Sequence, residues 1–233
     1  MRTVLAFDVY GTLIDTAGVV SGLRKIVGAK AEEFARVWRD KQLEYSFRRG
    51  LMQRYQNFAI CIRDSLEYTS AYLDAPLTPA NTESLLGAYR ALPRFDDAKE
   101  CLSSLPTDDF ALYAFSNGAA DTVETLLSTA GIRKHFLGVI SVDDVRSFKP
   151  DPAVYRYFLR QSGADENNAW LISGNAFDVI GAMSAGMRGA WVNRSGNAIF
   201  DPWGVEPTIT VSSLLEIRER ITACYRPSAD KPA

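Results

Sequence analysis

Short apolar segments, separated by stretches with helical periodicity, constrain the fold of this chain more than any other feature of its sequence. Each segment has four to six residues and is rich in β-branched or aromatic side chains, as expected for strands that are buried on both faces. They occupy residues 3–7, 110–115, 138–141, 169–172, 190–193 and 208–211. Helix-like stretches lie between most of them, at 121–130, 152–162 and 177–185. This βαβ alternation predicts a parallel sheet with helices packed on its faces.

The interval between the first two predicted strands is about a hundred residues long, far more than an ordinary crossover connection. Most of it has helical character. Phe34, Trp38 and Tyr45 recur at helix spacing, and residues 55–68 and 82–92 continue the pattern. We therefore predict that a group of helices is inserted into the sheet domain after its first strand.

These patterns predict how the chain is divided. Residues 1–15 and 93–225 are expected to form the α/β core, and residues 16–92 the inserted helical cap. The last residues, 226–233, are polar and punctuated by prolines, so we expect a flexible tail there.

Composition and charge exclude several classes of function. A formal net charge of -2, without a long Lys/Arg cluster, argues against a nucleic-acid partner. No segment reaches the roughly 20 apolar residues that a membrane-spanning helix needs, so no membrane partner is expected. Cys61, Cys101 and Cys224 form neither a disulfide framework nor a C-x-x-C motif, and they suit the reducing cytoplasm, where we expect the protein. With His135 as the only histidine, neither a Ser-His-Asp triad nor a histidine-based zinc site is possible.

Polar residues stand where three of the predicted strands end. Asp8 follows the first strand, Ser116 and Asn117 the second, and residues 173–175 (Ser-Gly-Asn) the fourth. In open α/β sheets the ligand site lies at the carboxyl ends of the strands, so these side chains should converge. Taken alone, Asp8 is more often a loop or helix cap, and a Ser-Asn pair after a strand is more often a turn.

Four segments, which follow one another along the chain, favour a functional site at these positions over a cap or a turn. They are residues 7–13 (FDVYGTL), 115–118 (FSNG), 148–155 (FKPDPAVY) and 173–178 (SGNAFD). Together they resemble the motifs of the haloacid dehalogenase superfamily, and the resemblance covers roughly residues 3–60 and 95–195. It implies a Rossmann-like core, with helices on both faces of the sheet, that carries a helical cap.

Two positions depart from the magnesium-dependent phosphatases that make up most of that superfamily. Those enzymes carry a second aspartate two positions after the nucleophile, where this chain has Tyr10. They also carry a metal-binding aspartate four residues before a second one, where this chain has Gly174 and Asp178. Because magnesium needs oxygen ligands, the loss of a carboxylate argues against the usual phosphoryl transfer. The remaining set is similar to the L-2-haloacid dehalogenase branch, which implies a hydrolase that needs neither a metal nor a cofactor.

The predicted cap supports the same branch. Residues 38–45 (WRDKQLEY) resemble its W-R-x-K-Q-L-E-Y segment, and Arg39 and Leu43 share one helix face. Phe58 is similar to an aromatic residue that walls the family's pocket. Phe58, Leu43 and Tyr10 are as readily explained as core residues, because apolar side chains at helix spacing normally pack.

The resemblance implies a covalent mechanism on short (S)-2-haloacids or haloacetates. Asp8 attacks C2 and displaces halide with inversion, and water then hydrolyses the resulting ester to give a 2-hydroxyacid. Lys149 lies beside Asp8 and offsets the repulsion between the two anions. Asp178 is the general base of the second step and pairs with Lys149.

The other implied roles complete the predicted site. Thr12, Ser173 and Asn175 support the carboxylates by hydrogen bonds, and Tyr155 is a supporting tyrosine. Ser116 binds the substrate carboxylate, whereas Arg39 and Asn117 receive the halide. Phe177, with Tyr10, Leu43 and Phe58, lines the pocket, although ordinary packing explains Phe177 nearly as well.

Two alternatives to the dehalogenase remain at this point. One is a phosphatase of the same superfamily with a reduced magnesium site. The other is a catalytically silent member that binds a small carboxylate or a protein partner. Apolar cap helices also suggest a homodimer.

Overall fold

The computed structural model describes residues 2–225, and the predicted tail at 226–233 lies outside the described residues. Six parallel strands form one sheet in the order β3-β2-β1-β4-β5-β6. The strands are β1 (Thr3–Asp8), β2 (Phe110–Ser116), β3 (Gly138–Ser141), β4 (Ala169–Ser173), β5 (Arg188–Val192) and β6 (Ile209–Val211). The predicted α/β fold with a parallel sheet is confirmed.

The strand order places the ends of β1 and β4 side by side in the middle of the sheet. Asp8 is in register with Phe115 of β2, and Phe7 with Ile172 of β4. The chain builds the sheet outward on one side of β1 and then returns to build the other side. Such a reversal opens a crevice at the carboxyl ends of the two central strands, where α/β proteins bind ligands.

Nine α-helices accompany the sheet in the described part of the chain. They are α1 (Val20–Val27), α2 (Ala31–Leu51), α3 (Phe58–Tyr72), α4 (Pro79–Tyr89), α5 (Asp96–Ser104), α6 (Ala120–Thr129), α7 (Pro152–Ser162), α8 (Ala176–Ser184) and α9 (Ile217–Ala223). Because parallel crossovers are right-handed, the reversal at β1 places the connecting helices of the two halves on opposite faces of the sheet.

Helices α1 to α4 all lie in the long interval after β1 and pack against one another. The indole N–H of Trp38 in α2 donates to the carbonyl of Ile62 in α3 at 2.8 Å. The hydroxyl of Tyr89 in α4 donates to Gln42 Oε1 in α2 at 2.7 Å. Buried hydrogen bonds of this kind satisfy polar groups that apolar packing would otherwise leave without a partner.

The chain leaves and re-enters the sheet domain along two adjacent segments. The backbone N–H of Asp15 donates to the carbonyl of Pro93 at 2.8 Å, and that of Phe95 donates to the carbonyl of Leu13 at 2.9 Å. We propose that these paired segments join the core (1–15 and 93–225) to the cap (16–92). Among the described residues, no helix is both long and apolar enough to cross a bilayer.

Two cap helices are displaced from their predicted limits, and capping explains both. Helix α3 was expected over 55–68 but begins at Phe58, because the Asn57 side chain accepts the N–H of Ile60. Helix α4 was expected over 82–92 but begins at Pro79, after Thr78 caps the N–H of Asn81. Apolar periodicity locates the buried face of a helix, whereas caps determine where it starts.

Candidate active site

Asp8 is the last residue of β1, and its carboxylate accepts four hydrogen bonds in the central crevice. Its Oδ2 accepts hydrogen bonds from Thr12 Oγ1 at 2.7 Å, Asn175 Nδ2 at 2.8 Å and Ser173 Oγ at 3.3 Å. Its Oδ1 accepts one, from Lys149 Nζ at 3.1 Å. Three neutral donors therefore fix Oδ2, and Oδ1 keeps lone pairs for another partner.

Lys149 connects Asp8 to a second carboxylate. Its ammonium, 1% exposed, donates to Asp8 Oδ1, to Asp178 Oδ2 at 2.8 Å and to the carbonyl of Phe115 at 2.9 Å. All three of its donors are used. Burial disfavours its charge, but the two carboxylates outweigh burial and raise the pKa of Lys149, so it stays a cation.

Asp178 lies in the first turn of α8 and is fully buried. Its Oδ1 accepts the hydroxyl proton of Tyr155 at 2.8 Å, and its Oδ2 is held by Lys149. Burial raises the pKa of Asp178 to about 6, although Lys149 opposes the shift. A carboxyl group with such a pKa changes protonation close to physiological pH.

A tight backbone contact brings the loop after β1 against the end of β4. Thr12 Oγ1 donates to Asp8 and accepts the N–H of Gly174 at 2.9 Å. A Cβ atom on Gly174 would lie 2.6 Å from the carbonyl oxygen of Gly11. Gly11 itself has φ +86°, a conformation that favours glycine. Both glycines therefore allow the loop that carries Thr12 to pack against the end of β4.

Nine of the residues predicted for the site line one small cavity beside Asp8, the catalytic cavity. They are Asp8, Tyr10, Arg39, Leu43, Phe58, Asn117, Lys149, Asn175 and Phe177. The centre of a water molecule can occupy about 10 Å³ of it, close to the room that one water needs. Other predicted residues lie behind this lining: Thr12, Ser116, Ser173 and Asp178 are each at most 1% exposed, as is Tyr155.

Arg39 projects from α2 into the catalytic cavity without a counter-ion. Its guanidinium donates to the carbonyl of Tyr10 and to Gln42 Oε1, both at 3.3 Å. No carboxylate of residues 2–225 lies within 4.0 Å of it. A partly buried, unpaired cation favours binding of an anion.

Two neighbouring residues at the end of β2 differ in how they meet the cavity. Asn117 accepts the backbone N–H of Lys149 through Oδ1 at 3.0 Å, which leaves its amide N–H groups for the cavity that it lines. Ser116 is fully buried, and its hydroxyl oxygen accepts the N–H of Gly118 at 3.1 Å. Of the two residues, Asn117 lines the cavity and Ser116 lies behind that lining.

Aromatic rings form the apolar wall of the cavity. Tyr10 packs on Phe58 with ring centroids 5.7 Å apart. Phe177 packs edge-to-face on Phe47, with centroids 5.0 Å apart. Burial, with help from Tyr89 and against Arg39, raises the pKa of the Tyr10 hydroxyl. Tyr10 therefore stays neutral and adds no negative charge beside Asp8.

The residues do not fit a magnesium ion held as in the phosphatases. Tyr10 offers a neutral phenol where those enzymes have a carboxylate, and Gly174 offers no side chain. Because a Cβ on Gly174 would meet the Gly11 carbonyl at 2.6 Å, the backbone also leaves no room for an aspartate there. Among residues 2–225, no three His, Cys, Asp or Glu side chains are grouped as metal ligands.

Sequence reasoning missed residues that support the site through the backbone or through other side chains. Arg194 donates to the carbonyl of Thr12 at 2.8 Å and pairs with Asp97 at 2.9 Å. Gln42 orients Arg39, and Phe47 supports Phe177. Gln42 lies inside the 38–45 segment and could have been found there, whereas Arg194 and Asp97 carry no local signal in the sequence.

Three kinds of similarity agree with this geometry. A family model described as haloacid dehalogenase-like hydrolase matches residues 3–186. An (S)-2-haloacid dehalogenase from Pseudomonas sp. (strain YL) is 35% identical over 92% of this chain and 92% of its own length. Haloacetate dehalogenase H-2 from Moraxella sp. (strain B) is 33% identical over 89% of this chain and 92% of its own.

Solved structures extend the comparison to the fold. The L-2-haloacid dehalogenase from Xanthobacter autotrophicus, with chloropropionic acid covalently bound, superposes with a TM-score of 0.87 at 30% identity. The match covers 95% of this chain and 99% of that one. With its family model, its relatives and its fold in agreement, this chain belongs to the haloacid dehalogenase-like hydrolases.

Proposed function

We propose that this protein is an (S)-2-haloacid dehalogenase, which converts short 2-haloacids and haloacetates to 2-hydroxyacids and halide. The observation that carries the proposal is the asymmetry of the Asp8 carboxylate. Three donors hold Oδ2, while Oδ1 meets only Lys149, and Asp8 lines a cavity that the unpaired Arg39 also lines. This arrangement suits attack by Oδ1 on an uncharged carbon that carries an anionic leaving group.

In the first step, Oδ1 of Asp8 forms a bond to C2 as the carbon-halogen bond breaks, and the bonding electrons leave with the halide. Attack from the side opposite the halogen inverts C2. Lys149 and Arg39 offset the repulsion between Asp8 and the substrate carboxylate, because charges act strongly in a cavity with little room for water. Arg39 and the amide of Asn117 receive the departing halide.

In the second step, water attacks Cγ of the Asp8 ester. Negative charge then develops on Oδ2, where Thr12, Ser173 and Asn175 already donate. Such preorganised donors lower the barrier of ester hydrolysis. Collapse of this intermediate breaks the bond between Cγ and Oδ1, so the oxygen of the product hydroxyl comes from Asp8 and the replacement oxygen from water.

Asp178 and Lys149 handle the protons of that step. Asp178 takes the proton lost by water, and Lys149, 3.1 Å from Oδ1, gives a proton to the departing oxygen. Asp178 then returns a proton to Lys149 across their 2.8 Å hydrogen bond, and the second proton of the attacking water leaves the Asp8 carboxyl group for solvent, which restores the starting state. Tyr155 holds Asp178 in place for this exchange.

Halide release from the two enantiomers of 2-chloropropionate, measured in EDTA, tests the proposal. We expect turnover of the (S)-enantiomer alone, with an (R)-lactate product, and we expect Asp8→Asn to abolish it. Product with retained configuration, or turnover of the (R)-enantiomer alone, would contradict the mechanism. Magnesium-dependent phosphate release without any dehalogenation would instead favour a phosphatase.

We further propose that the protein acts as a homodimer in the cytoplasm. Leu51 and Trp203, which are 86% and 76% exposed, border a wide apolar groove, and large exposed apolar patches favour association. The free thiols of Cys61, Cys101 and Cys224 support a reducing compartment.

A further inference from the structure

Two larger cavities lie next to the catalytic cavity, one behind each of two walls. The first, which we call the arginine-rimmed cavity, is bordered by Arg63, Glu83, Arg90 and Thr122. The centre of a water molecule can occupy about 350 Å³ of it. It lies between the cap helices α3 and α4 and the start of α6.

The second, the outer groove, is bordered by Leu51, Asp151, Ser184, Asp201 and Trp203. It is larger, at about 780 Å³ by the same measure. Since the catalytic cavity offers only about 10 Å³, a substrate has to pass one of its walls to reach Asp8.

We propose that the anionic substrate enters through the arginine-rimmed cavity, past the Tyr10–Phe58 ring pair, and not through the larger outer groove. The inference rests on the proposed function, because it takes a small carboxylate as the substrate. Tyr10 and Phe58 line both the catalytic and the arginine-rimmed cavities and so form the wall between them.

Charge favours this route for an anion. Arg63 and Arg90 face one glutamate, Glu83. The guanidinium of Arg90 donates only to the carbonyl of Leu86, at 3.4 Å, and has no carboxylate within 4.0 Å in the described part of the chain. A cleft with an excess of positive charge concentrates anions.

The Arg63 charge is nearly free as well. The nearest carboxylate oxygen to its guanidinium is Asp64 Oδ1, at 3.5 Å, and Arg49 already holds the other oxygen of Asp64 at 2.7 Å. In the outer groove the balance is reversed, with Asp151 and Asp201 against Lys149. The Lys149 charge is already neutralised by Asp8 and Asp178.

The two walls also differ in what holds them. The wall toward the outer groove consists of Lys149, which three hydrogen bonds fix in place, and Phe177, which packs edge-to-face on Phe47. The wall toward the arginine-rimmed cavity consists of Tyr10 and Phe58, and the Tyr10 hydroxyl makes no hydrogen bond to any residue of 2–225. Phe58 opens α3, directly after residues 51–57, of which all but Tyr55 are exposed. Tyr10 and Phe58 are themselves buried, but local opening occurs most readily at exposed segments such as 51–57, and such an opening would carry Phe58 with it.

Thiol labels that block one route at a time distinguish entry through the arginine-rimmed cavity from entry through the outer groove. Thr122→Cys places a thiol in the arginine-rimmed cavity, and Ser184→Cys places one in the outer groove. Both are made in a Cys224→Ser background, because Cys224 is exposed while Cys61 and Cys101 are buried. Each variant is labelled with neutral benzyl methanethiosulfonate, and labelling is measured by mass spectrometry. Ala59→Cys, at the same mouth as Thr122, replaces any Thr122→Cys variant that does not fold.

We expect labelled Thr122→Cys to lose about tenfold or more of kcat/KM, with a greater loss for 2-chlorobutyrate than for chloroacetate, and dithiothreitol to restore it. Labelled Ser184→Cys should keep the kcat/KM of its unlabelled form. A Ser184→Cys thiol that the reagent does not reach also supports the proposal, because the groove is then closed to small molecules.

The route is wrong if labelled Thr122→Cys keeps its activity, if its thiol is not reached, or if the Ser184→Cys label inhibits as strongly. A background protein that releases no halide from 2-chloropropionate overturns the proposed function and, with it, this route. Halide release in the background protein, together with full activity of labelled Thr122→Cys, overturns the route alone.

Discussion

At the scale of single residues, burial and the charges of Lys149 and Asp8 set most of the proton affinity of Asp178, and the hydrogen bond from Tyr155 adjusts it. Burial raises the pKa of Asp178 to about 6, and the hydrogen bond from Tyr155 is one of the contacts that lower it. The proposed mechanism needs the deprotonated carboxylate, so kcat/KM should fall as the pH drops below about 6. Because the fold raises this pKa, Asp178 contributes stability below the unfolded pKa that is lost as the pH rises toward 6.

Tyr155→Phe should therefore move the acid limb of the kcat/KM profile to higher pH. The substitution removes a donor to the carboxylate, which makes the charged form less stable. Tyr157→Phe is the matched control, because Tyr157 lies on the same helix and donates to Asp144, outside the site. Identical acid limbs for the two variants would exclude this role for Tyr155.

Arg39 should matter most when the leaving group is poorest. Its guanidinium has no carboxylate partner in the described chain and lines the cavity, so it is free to stabilise a departing halide. Arg39→Gln should lower kcat by about 10²- to 10³-fold, more for 2-chloropropionate than for 2-bromopropionate, because the carbon-chlorine bond is the stronger.

Arg39→Lys keeps the charge and should restore part of that loss. Stopped-flow measurement of halide release from both substrates supplies the comparison. Equal losses for chloride and bromide would assign Arg39 to substrate binding and not to the leaving group.

At the scale of elements, the contact between Gly174 and the loop after β1 leaves no room for a larger side chain at residue 174. A Cβ on residue 174 would lie 2.6 Å from the Gly11 carbonyl, so Gly174→Ala should cost about 1–3 kcal/mol of unfolding free energy. It should also lower kcat, since Thr12 and Asp8 would shift. Gly87→Ala is the control: nothing lies within 4 Å of its Cβ position inside α4, and alanine should stabilise that helix by about 0.5–1 kcal/mol. Denaturant titration of both variants, beside halide release, measures the two effects.

The sequence alone predicts the elements that are encoded locally, but not tertiary contacts such as this one. Apolar runs gave all six strands to within about two residues, because each strand is buried and locally encoded. The helix starts at Phe58 and Pro79, after the caps Asn57 and Thr78, were missed because a single capping hydrogen bond outweighs periodicity over a turn. The strand order lay beyond local patterns, since pairing joins residues far apart in the chain.

The candidate site also contains residues that the sequence could predict and others that it could not. Motif resemblance found every residue that lines the catalytic cavity, because those residues cluster in short segments. It could not find the Arg194–Asp97 pair that holds the Thr12 carbonyl, because that contact spans residues 12, 97 and 194 and only the tertiary structure brings them together.

At the scale of the whole molecule, the cap and the core enclose a space too small for a 2-haloacid in this conformation. Asp8, Asn117, Lys149 and Asn175 come from the core segments, and Arg39 comes from α2. The charges that would bind the substrate are thus brought together from both sides of the proposed core–cap division. Binding and release therefore require relative motion of the two parts or of their aromatic walls.

The outer groove leads to a separate prediction about assembly. Leu51 and Trp203 are largely exposed beside it, and an apolar surface of that kind is stabilised when a second copy covers it. We expect sedimentation at micromolar concentration to show a dimer, and Leu51→Glu to weaken the dimer by burying an unpaired charge. Leu137→Glu, at a 56% exposed leucine beside β3 and outside the groove, should leave it unchanged. A wild-type monomer, or equal effects of the two substitutions, would rule out this interface. Retained halide release by a monomeric Leu51→Glu variant would show that assembly and catalysis are independent.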